Sequence, residues 1–265
     1  MTISKARKPR KKNIALETAI SLRAADGTPF YAVPSEVANS LRRMMTGLMH
    51  HESLPPRISV VATLRKEGVT FTTLALAATL ANDLTSSVCA VELNWHNPGM
   101  YNQLTSLNKK RGSKPSSRRA AAQAEVVTNE SSPGLAAVLV ESATLDDALI
   151  QTDRPNLALL PAGELSMLQR PSVARSEILQ NCIEELGQRF DHLVLDIPAL
   201  LSTSDAIALA SLGSACCMVI QQGVTPVNDV KAGLDEVKHL PILGVVLNKL
   251  RIHTPKWILN FLPED

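Results

Sequence analysis

Residues 65 to 72 carry the residue types of a phosphate-binding loop, with one exception. In the motif G-x-x-x-x-G-K-[ST], the second glycine lets the backbone approach the phosphates, the lysine neutralises them and the hydroxyl holds Mg²⁺. Gly68 stands at the second glycine position and Thr70 at the hydroxyl position, but Val69 stands where the lysine is expected. The sequence therefore predicts the frame of a nucleotide site without its principal cation.

Two carboxylates end apolar segments that read as buried strands. Asp196 ends DHLVLD, the Walker B pattern in which a carboxylate holds the Mg²⁺ of a bound nucleotide, and Glu92 ends SVCAVE. Because the carboxyl ends of parallel strands meet at one edge of a sheet, we predict catalytic roles for Glu92 and Asp196 and metal binding by Thr70 and Asp196. A second interpretation stays open, in which Glu92 and Asn94 only cap a loop.

The elements that position these residues alternate along the chain. Apolar runs at 57–63, 87–93, 156–161, 191–198, 215–221 and 241–249 are separated by helical patterns, of which the longest are 36–50, 70–84, 171–190 and 227–240. Such alternation predicts an α/β fold with a mostly parallel central sheet covered by helices on both faces.

Charge and composition suggest one domain with polar, basic appendages. The chain has 265 residues and a formal net charge of +2, with cations concentrated at 5–12 and 109–119. We interpret 1–30 as a disordered basic tail, 31–265 as the domain and 102–132 as a flexible basic loop. The basic tracts are either solvated or make weak contact with an anionic membrane surface. The four cysteines lack C-x-x-C spacing, which is typical of a reduced cytosolic protein.

Seven segments in order resemble the bacterial tyrosine kinases (BY-kinases) of capsule and exopolysaccharide systems, of the CpsD/CapB type, which are relatives of the ParA and MinD ATPases. The segments are SEVANSLRRMM, VATLRKEGVTFTT, VELNWHNPG, GLAAVLVESATLDDAL, NLALLPAG, FDHLVLDIPALLSTSDAIALA and PILGVVLNKL, and they cover about residues 30 to 260. The resemblance implies a P-loop NTPase fold, an α/β/α sandwich, with ATP or ADP and Mg²⁺ as cofactors. It also implies a membrane copolymerase or adaptor as partner, at the inner face of the cell membrane, and a homo-oligomer as one assembly.

The same resemblance implies which residues contact the nucleotide. These are Lys66, Glu67, Gly68, Val69, Thr70, Phe71, Thr72 and Asn248, the last of them in GVVLN. Arg65 and Lys66 are expected to point to solvent and not to replace the missing lysine.

Several positions depart from the family pattern at the phosphate end of the site. Lys66 replaces a glycine, Val69 replaces the lysine, and the acidic D-x-D motif has become Glu92-Leu93-Asn94. The C-terminal tyrosine cluster that the family phosphorylates has no counterpart, since Tyr31 and Tyr101 are the only tyrosines.

These departures favour a degenerate relative with weak or absent phosphoryl transfer that works through its partner. An active ATP-dependent tyrosine kinase or ATPase is the alternative. A ParA/MinD-like positioning ATPase is the third interpretation, and nucleic acid is the least favoured partner.

Overall fold

The computed structural model of the protein describes residues 18–23, 29–49, 53–104 and 132–249. Its strands are β1 (Thr18–Arg23), β2 (Pro29–Pro34), β3 (Arg57–Ala62), β4 (Val88–Glu92), β5 (Ile150–Gln151), β6 (Leu157–Leu160), β7 (His192–Asp196), β8 (Ala215–Gln221) and β9 (Ile242–Asn248). Its helices are α1 (Ser35–Met49), α2 (Val69–Asp83), α3 (Gly134–Leu139), α4 (Leu145–Ala148), α5 (Arg170–Val173), α6 (Glu177–Arg189), α7 (Ala206–Ala210) and α8 (Val227–Glu236). Residues 100–104 are also helical.

A seven-stranded sheet in the order β5-β6-β4-β7-β3-β8-β9 forms the centre of the fold. The strand pairs are parallel except β5 with β6, which are antiparallel. β3 lies between β7 and β8, so the loop after it opens at the middle of the carboxyl edge, where the polar residues of an open α/β sheet bind ligands. The α/β/α class and the mostly parallel sheet predicted from the sequence are confirmed.

Two apolar clusters cover the two faces of this sheet. One packs under α1, α2 and the β1–β2 hairpin, and the other packs under α3, α6 and α7. α2 is buried along ten consecutive residues, from Thr72 to Ala81, because the hairpin and α1 cover its outer side. Four alanines in that stretch give the small side chains that a helix enclosed in this way requires.

The start of the domain needs correction. Residues 18–30 belong to the predicted disordered tail, yet β1 pairs with β2 and buries Ile20 and Leu22. The Tyr31 hydroxyl donates to the Phe71 carbonyl at 3.0 Å and so links the hairpin to the first turn of α2. The alternation of Ile20 and Leu22 with Ser21 and Arg23 is the period-two signal of a strand with one buried face.

Two further predictions need adjustment, and the basic tracts fall outside the described ranges. The predicted helix at 171–190 is divided into α5 and α6, because the Ser176 hydroxyl caps a new helix by accepting from Leu179 N at 3.2 Å. The predicted flexible loop begins inside the helical segment 100–104. The basic tracts at 5–12 and 109–119 lie outside the described residues. Within the described ranges, each helix is too short or too polar to cross a bilayer.

Candidate functional site

The loop between β3 and α2 has the backbone bend that a phosphate-binding loop requires at Gly68. This residue has φ 105° and ψ 30°, in the left-handed region. A Cβ atom there would lie 2.0 Å from Asn248 Nδ2, so glycine is needed for both conformation and space. The first turn of α2 follows at Val69, and its free amides point toward the loop, as at any helix N-terminus.

Lys66 also occupies the left-handed region, with φ 69°. It stands where the related motif has a glycine, so the backbone keeps the glycine-like bend although the side chain has changed. The side chains of Arg65 and Lys66 are exposed. They line a cavity at the carboxyl edge of the sheet, called the central cavity below. A non-glycine residue in this conformation costs about 1–2 kcal/mol.

The side chains of Glu67 and Thr72 face the protein and not the cavity. Glu67 is 2% exposed, and its carboxylate accepts from Leu64 N at 2.8 Å, from Gln221 N at 3.4 Å and from the Thr225 hydroxyl. The Thr72 hydroxyl donates to the Gly68 carbonyl at 3.0 Å. Among the predicted nucleotide contacts, these two side chains instead hold the loop in shape, because buried polar atoms must be paired.

Two residues at the end of β9 bind the loop from the other side. Asn248 Nδ2 donates to the Glu67 carbonyl at 2.7 Å. Lys249 Nζ donates to the Lys66 carbonyl, and to Gln221 Oε1 at 3.1 Å. Sequence reasoning selected Asn248 but missed Lys249, although its place at the carboxyl end of an apolar predicted strand was a signal for a site residue.

Asp196 is a fully buried acid next to the hydroxyl of Thr70. Neither of its carboxylate oxygens has a hydrogen-bond partner among the described residues. Burial and the charge of Glu92 raise the pKa of Asp196 well above its usual range, while the nearby Thr70 hydroxyl opposes the rise. An unpaired buried carboxylate is costly, and a divalent cation is the ligand that would relieve this cost.

Glu92 is engaged with backbone amides. It is 1% exposed; Oε1 accepts from Gly99 N at 2.5 Å and Met100 N at 2.8 Å, and Oε2 accepts from Ala162 N at 3.1 Å. Burial raises its pKa, and these three amides oppose the rise. The contacts match the interpretation in which Glu92 caps a loop, and its side chain lies outside the lining of the central cavity.

These elements enclose a cavity of about 430 Å³ at the carboxyl edge of the sheet. Among the predicted nucleotide contacts, those that line it are Lys66, Gly68, Val69, Thr70, Phe71 and Asn248. His96 also lines it and bonds through Nε2 to the buried Asp205 at 2.8 Å. Val69 lines the cavity too, yet packs against the core under α1 and α2. The cavity therefore offers loop amides and the Thr70 hydroxyl, but no lysine at the start of α2, and the buried Asp196 lies outside its lining.

The residues present fit a magnesium ion better than they fit a full set of phosphate contacts. Thr70 and Asp196 supply the hard oxygen donors that Mg²⁺ prefers, and the orphaned oxygens of Asp196 favour a cation there. Amides of the loop and of the first turn of α2 suit phosphate. The charge-assisted contact of a lysine at position 69 is missing.

Comparison with curated proteins finds relatives of two kinds. The chain is 32% identical over 129 residues to the succinoglycan biosynthesis transport protein ExoP of Rhizobium meliloti, a match covering 47% of this chain and 16% of that protein. It is 28% identical over 132 residues to the tyrosine-protein kinase CpsD of Streptococcus pneumoniae serotype 4, covering 49% and 58%. Bacterial tyrosine kinases are homologues of this chain. The septum site-determining protein MinD of Synechocystis is 29% identical over 117 residues, covering 43% and 42%.

Solved structures show the same fold. The chimerical protein CapA2B2 superposes with a TM-score of 0.65 at 18% identity, covering 83% of this chain and 86% of that one. The kinase domain of VpsO has a TM-score of 0.65 at 21% identity, covering 82% and 95%. MinD of Pyrococcus horikoshii, complexed with Mg-ADP, has a TM-score of 0.53 at 22% identity, covering 78% and 77%.

The BY-kinase resemblance noted in the sequence is confirmed, although no family model matches the chain. Each of the curated matches described above spans less than two thirds of the relative's length.

Proposed function

We propose that this chain is a degenerate BY-kinase-like nucleotide-binding protein with weak or absent phosphoryl transfer. It acts in or regulates capsule or exopolysaccharide biosynthesis. The observation that carries this proposal is the loop at Gly68, whose φ of 105° suits phosphate and which lies beside Thr70 and the unpaired Asp196. The helix that follows this loop begins with Val69 instead of a lysine. Such a site keeps the means of binding a magnesium nucleotide and lacks a cation that would stabilise charge during transfer.

Within this proposal, Thr70 and Asp196 hold Mg²⁺ and the amides from Gly68 to Phe71 hold the phosphates. The metal would supply charge neutralisation of the phosphates. Loss of a lysine–phosphate contact costs roughly 1.5–3 kcal/mol of binding, so the remaining contacts still favour a nucleotide. Glu92 acts at a distance in this scheme, because its carboxylate fixes the loop at 99–100 against Ala162.

Both tyrosine hydroxyls are engaged within the fold. The Tyr31 hydroxyl donates to the Phe71 carbonyl at 3.0 Å, and the Tyr101 hydroxyl donates to the Ser132 carbonyl at 2.8 Å. Tyr31 is 3% exposed. Transfer to Tyr31 would require local opening first, and transfer to Tyr101 would require loss of its hydrogen bond to Ser132, which supports low autophosphorylation.

Calorimetric titration with Mg-ATP and Mg-ADP, beside assays of ATP turnover and autophosphorylation, tests the proposal. The expected result is binding of both nucleotides with little or no turnover. Gly68→Ala is the matched negative control, since an alanine is strained at φ 105° and its Cβ would displace the Asn248 amide that holds the loop. Rapid turnover by the wild type would favour the active kinase, and absence of binding would leave only a structural role.

An active kinase or ATPase is the second candidate, and the Thr70–Asp196 pair favours it. A buried carboxylate without hydrogen-bond partners destabilises the fold. A role in a metal-dependent reaction would explain why Asp196 is retained. A MinD-like positioning ATPase is third; it is supported by the match to a septum site-determining protein.

The proposed partner is a membrane copolymerase or adaptor, and the proposed location is the cytoplasm, including the inner face of the cell membrane. The CapA2B2 chimera and ExoP are the comparisons that support this kind of partner. Co-purification with the corresponding membrane protein, compared between wild type and Gly68→Ala, would show whether the interaction depends on the nucleotide loop.

A further inference from the structure

Lys249 contacts the phosphate loop at the position where that loop lacks its usual glycine. Its ammonium donates to the carbonyl oxygen of Lys66 and, at 3.1 Å, to Gln221 Oε1. Lys66 has φ 69°, a conformation that L residues other than glycine disfavour. We infer that Lys249 is a positioning residue, whose ammonium holds Lys66 in the left-handed conformation and so keeps the loop shaped for phosphate.

The backbone around Lys249 is arranged to make this contact. Lys249 itself has φ 56°, and its amide donates to Asn248 Oδ1 at 2.8 Å. Asn248 Nδ2 in turn donates to the Glu67 carbonyl at 2.7 Å. Two successive carbonyls of the loop, those of residues 66 and 67, are therefore held by the last residue of β9 and the residue that follows it.

A charge-assisted hydrogen bond to a carbonyl has enough strength to offset the strain at Lys66. Such bonds are among the stronger ones in proteins, and Gln221 Oε1 also holds the ammonium at 3.1 Å. Because Gln221 already restrains the ammonium, little further side-chain entropy is lost when the ammonium bonds to the Lys66 carbonyl. The loop is thus held in its bent form before any phosphate arrives.

This role differs in its consequences from a direct contact between Lys249 and a nucleotide. Glycine adopts the left-handed conformation without help, so Lys66→Gly makes a positioning bond unnecessary. If Lys249 instead contacts the ligand, its removal weakens binding whatever residue stands at 66. The pair of substitutions therefore separates the two roles.

The experiment compares wild type, Lys249→Met, Lys66→Gly and the double variant, with Lys238→Met as a control at an exposed lysine on the surface. The first measurement is hydrogen exchange, without ligand, of the two hydrogen-bonded amides that bracket the loop: Leu64 N, which donates to Glu67 Oε2, and Thr72 N, which donates to the Gly68 carbonyl. Lys249→Met should raise the exchange rate of these amides about five- to ten-fold. Adding Lys66→Gly, in the double variant, should return the rate toward that of the wild type. Unchanged exchange in Lys249→Met would overturn the inference.

The second measurement is the Kd for Mg-ADP and for pyrophosphate, and this half rests on the proposed nucleotide site. Lys249→Met should weaken both by about ten-fold, and the double variant should recover most of the loss. A loss that Lys66→Gly does not rescue would assign Lys249 to the ligand and overturn the positioning role. If the wild type binds neither ligand, the proposed function fails, and the exchange measurement alone still decides the role of Lys249.

Discussion

Val69 determines the charge at the centre of the candidate site. Its half-buried side chain packs against the core while one edge lines the cavity. Val69→Lys should tighten Mg-ATP binding about ten-fold or more, because the loop around it already has the bend that phosphate requires. Calorimetry measures the effect, and Val69→Met gives a side chain of similar length without charge. Equal affinities in the two variants would show that a cation at this position cannot reach the phosphates.

Asp196 should make the free energy of unfolding depend on pH. Burial, then the charge of Glu92, raises its pKa in the folded state, and the Thr70 hydroxyl opposes this rise. The folded protein therefore holds a proton that the unfolded chain loses near pH 4. The free energy of unfolding should fall as the pH rises from about 4 through the raised pKa, and it should stay reduced above it.

Asp196→Asn should remove part of that slope and stabilise the metal-free protein at neutral pH by roughly 1–2 kcal/mol. Urea unfolding across a pH series measures this, with and without Mg²⁺. The same variant should weaken Mg-ATP more than ATP in a chelator. Equal weakening under both conditions would count against metal binding by Asp196.

At the scale of elements, an ion pair joins α1 to the end of α2. Arg42 Nε lies 2.6 Å from Asp83 Oδ2, and Arg42 Nη2 donates to Asp83 Oδ1 at 3.0 Å. The hydrogen bonding that Arg42 donates to Asp83 is the main cause that lowers the pKa of Asp83, and it is also the main cause that raises the pKa of Arg42. Arg42 therefore binds a partner within its own chain.

A double-mutant cycle on Arg42→Ala and Asp83→Ala should give a coupling energy of about 0.5–1 kcal/mol, because the pair is bidentate but partly exposed. Light scattering should show the same molar mass for wild type and Arg42→Ala. Arg43→Ala, the next residue on α1, is the control. A fall in mass for Arg42→Ala alone would assign Arg42 to an assembly interface.

An element is predictable from the sequence when the residues that determine it lie within or next to it along the chain. Strands with both faces buried, such as Ala215–Gln221, are continuous apolar runs, and the structure places this one where the sequence does. The hairpin was missed because its second strand begins with Pro29 and because the tract at 5–12 that precedes it is basic. The loop bend at Gly68 was predictable from a short motif. The inward turn of Glu67 was not, because its partners Gln221 and Thr225 are more than 150 residues away.

For the whole molecule, the basic tracts at 5–12 and 109–119 predict weak attachment to anionic membranes. Each cation near such a surface contributes about 1 kcal/mol, and the contribution falls within a Debye length. Co-sedimentation with vesicles containing phosphatidylserine should show binding at low salt that is lost near physiological salt, and a variant lacking residues 1–12 should bind less. Absence of binding by the full chain at low salt would leave membrane location entirely to the partner.

The position of β9 at the edge of the sheet links the site to local unfolding. Among the described strands, β9 pairs with β8 alone, and its Val245 and Leu247 remain about half exposed. This strand should therefore open at a lower free energy than the centre of the sheet. Asn248 and Lys249 leave the loop whenever β9 separates from β8. The phosphate loop and the edge strand therefore form one cooperative unit, and a nucleotide that orders the loop should also slow amide exchange along β9.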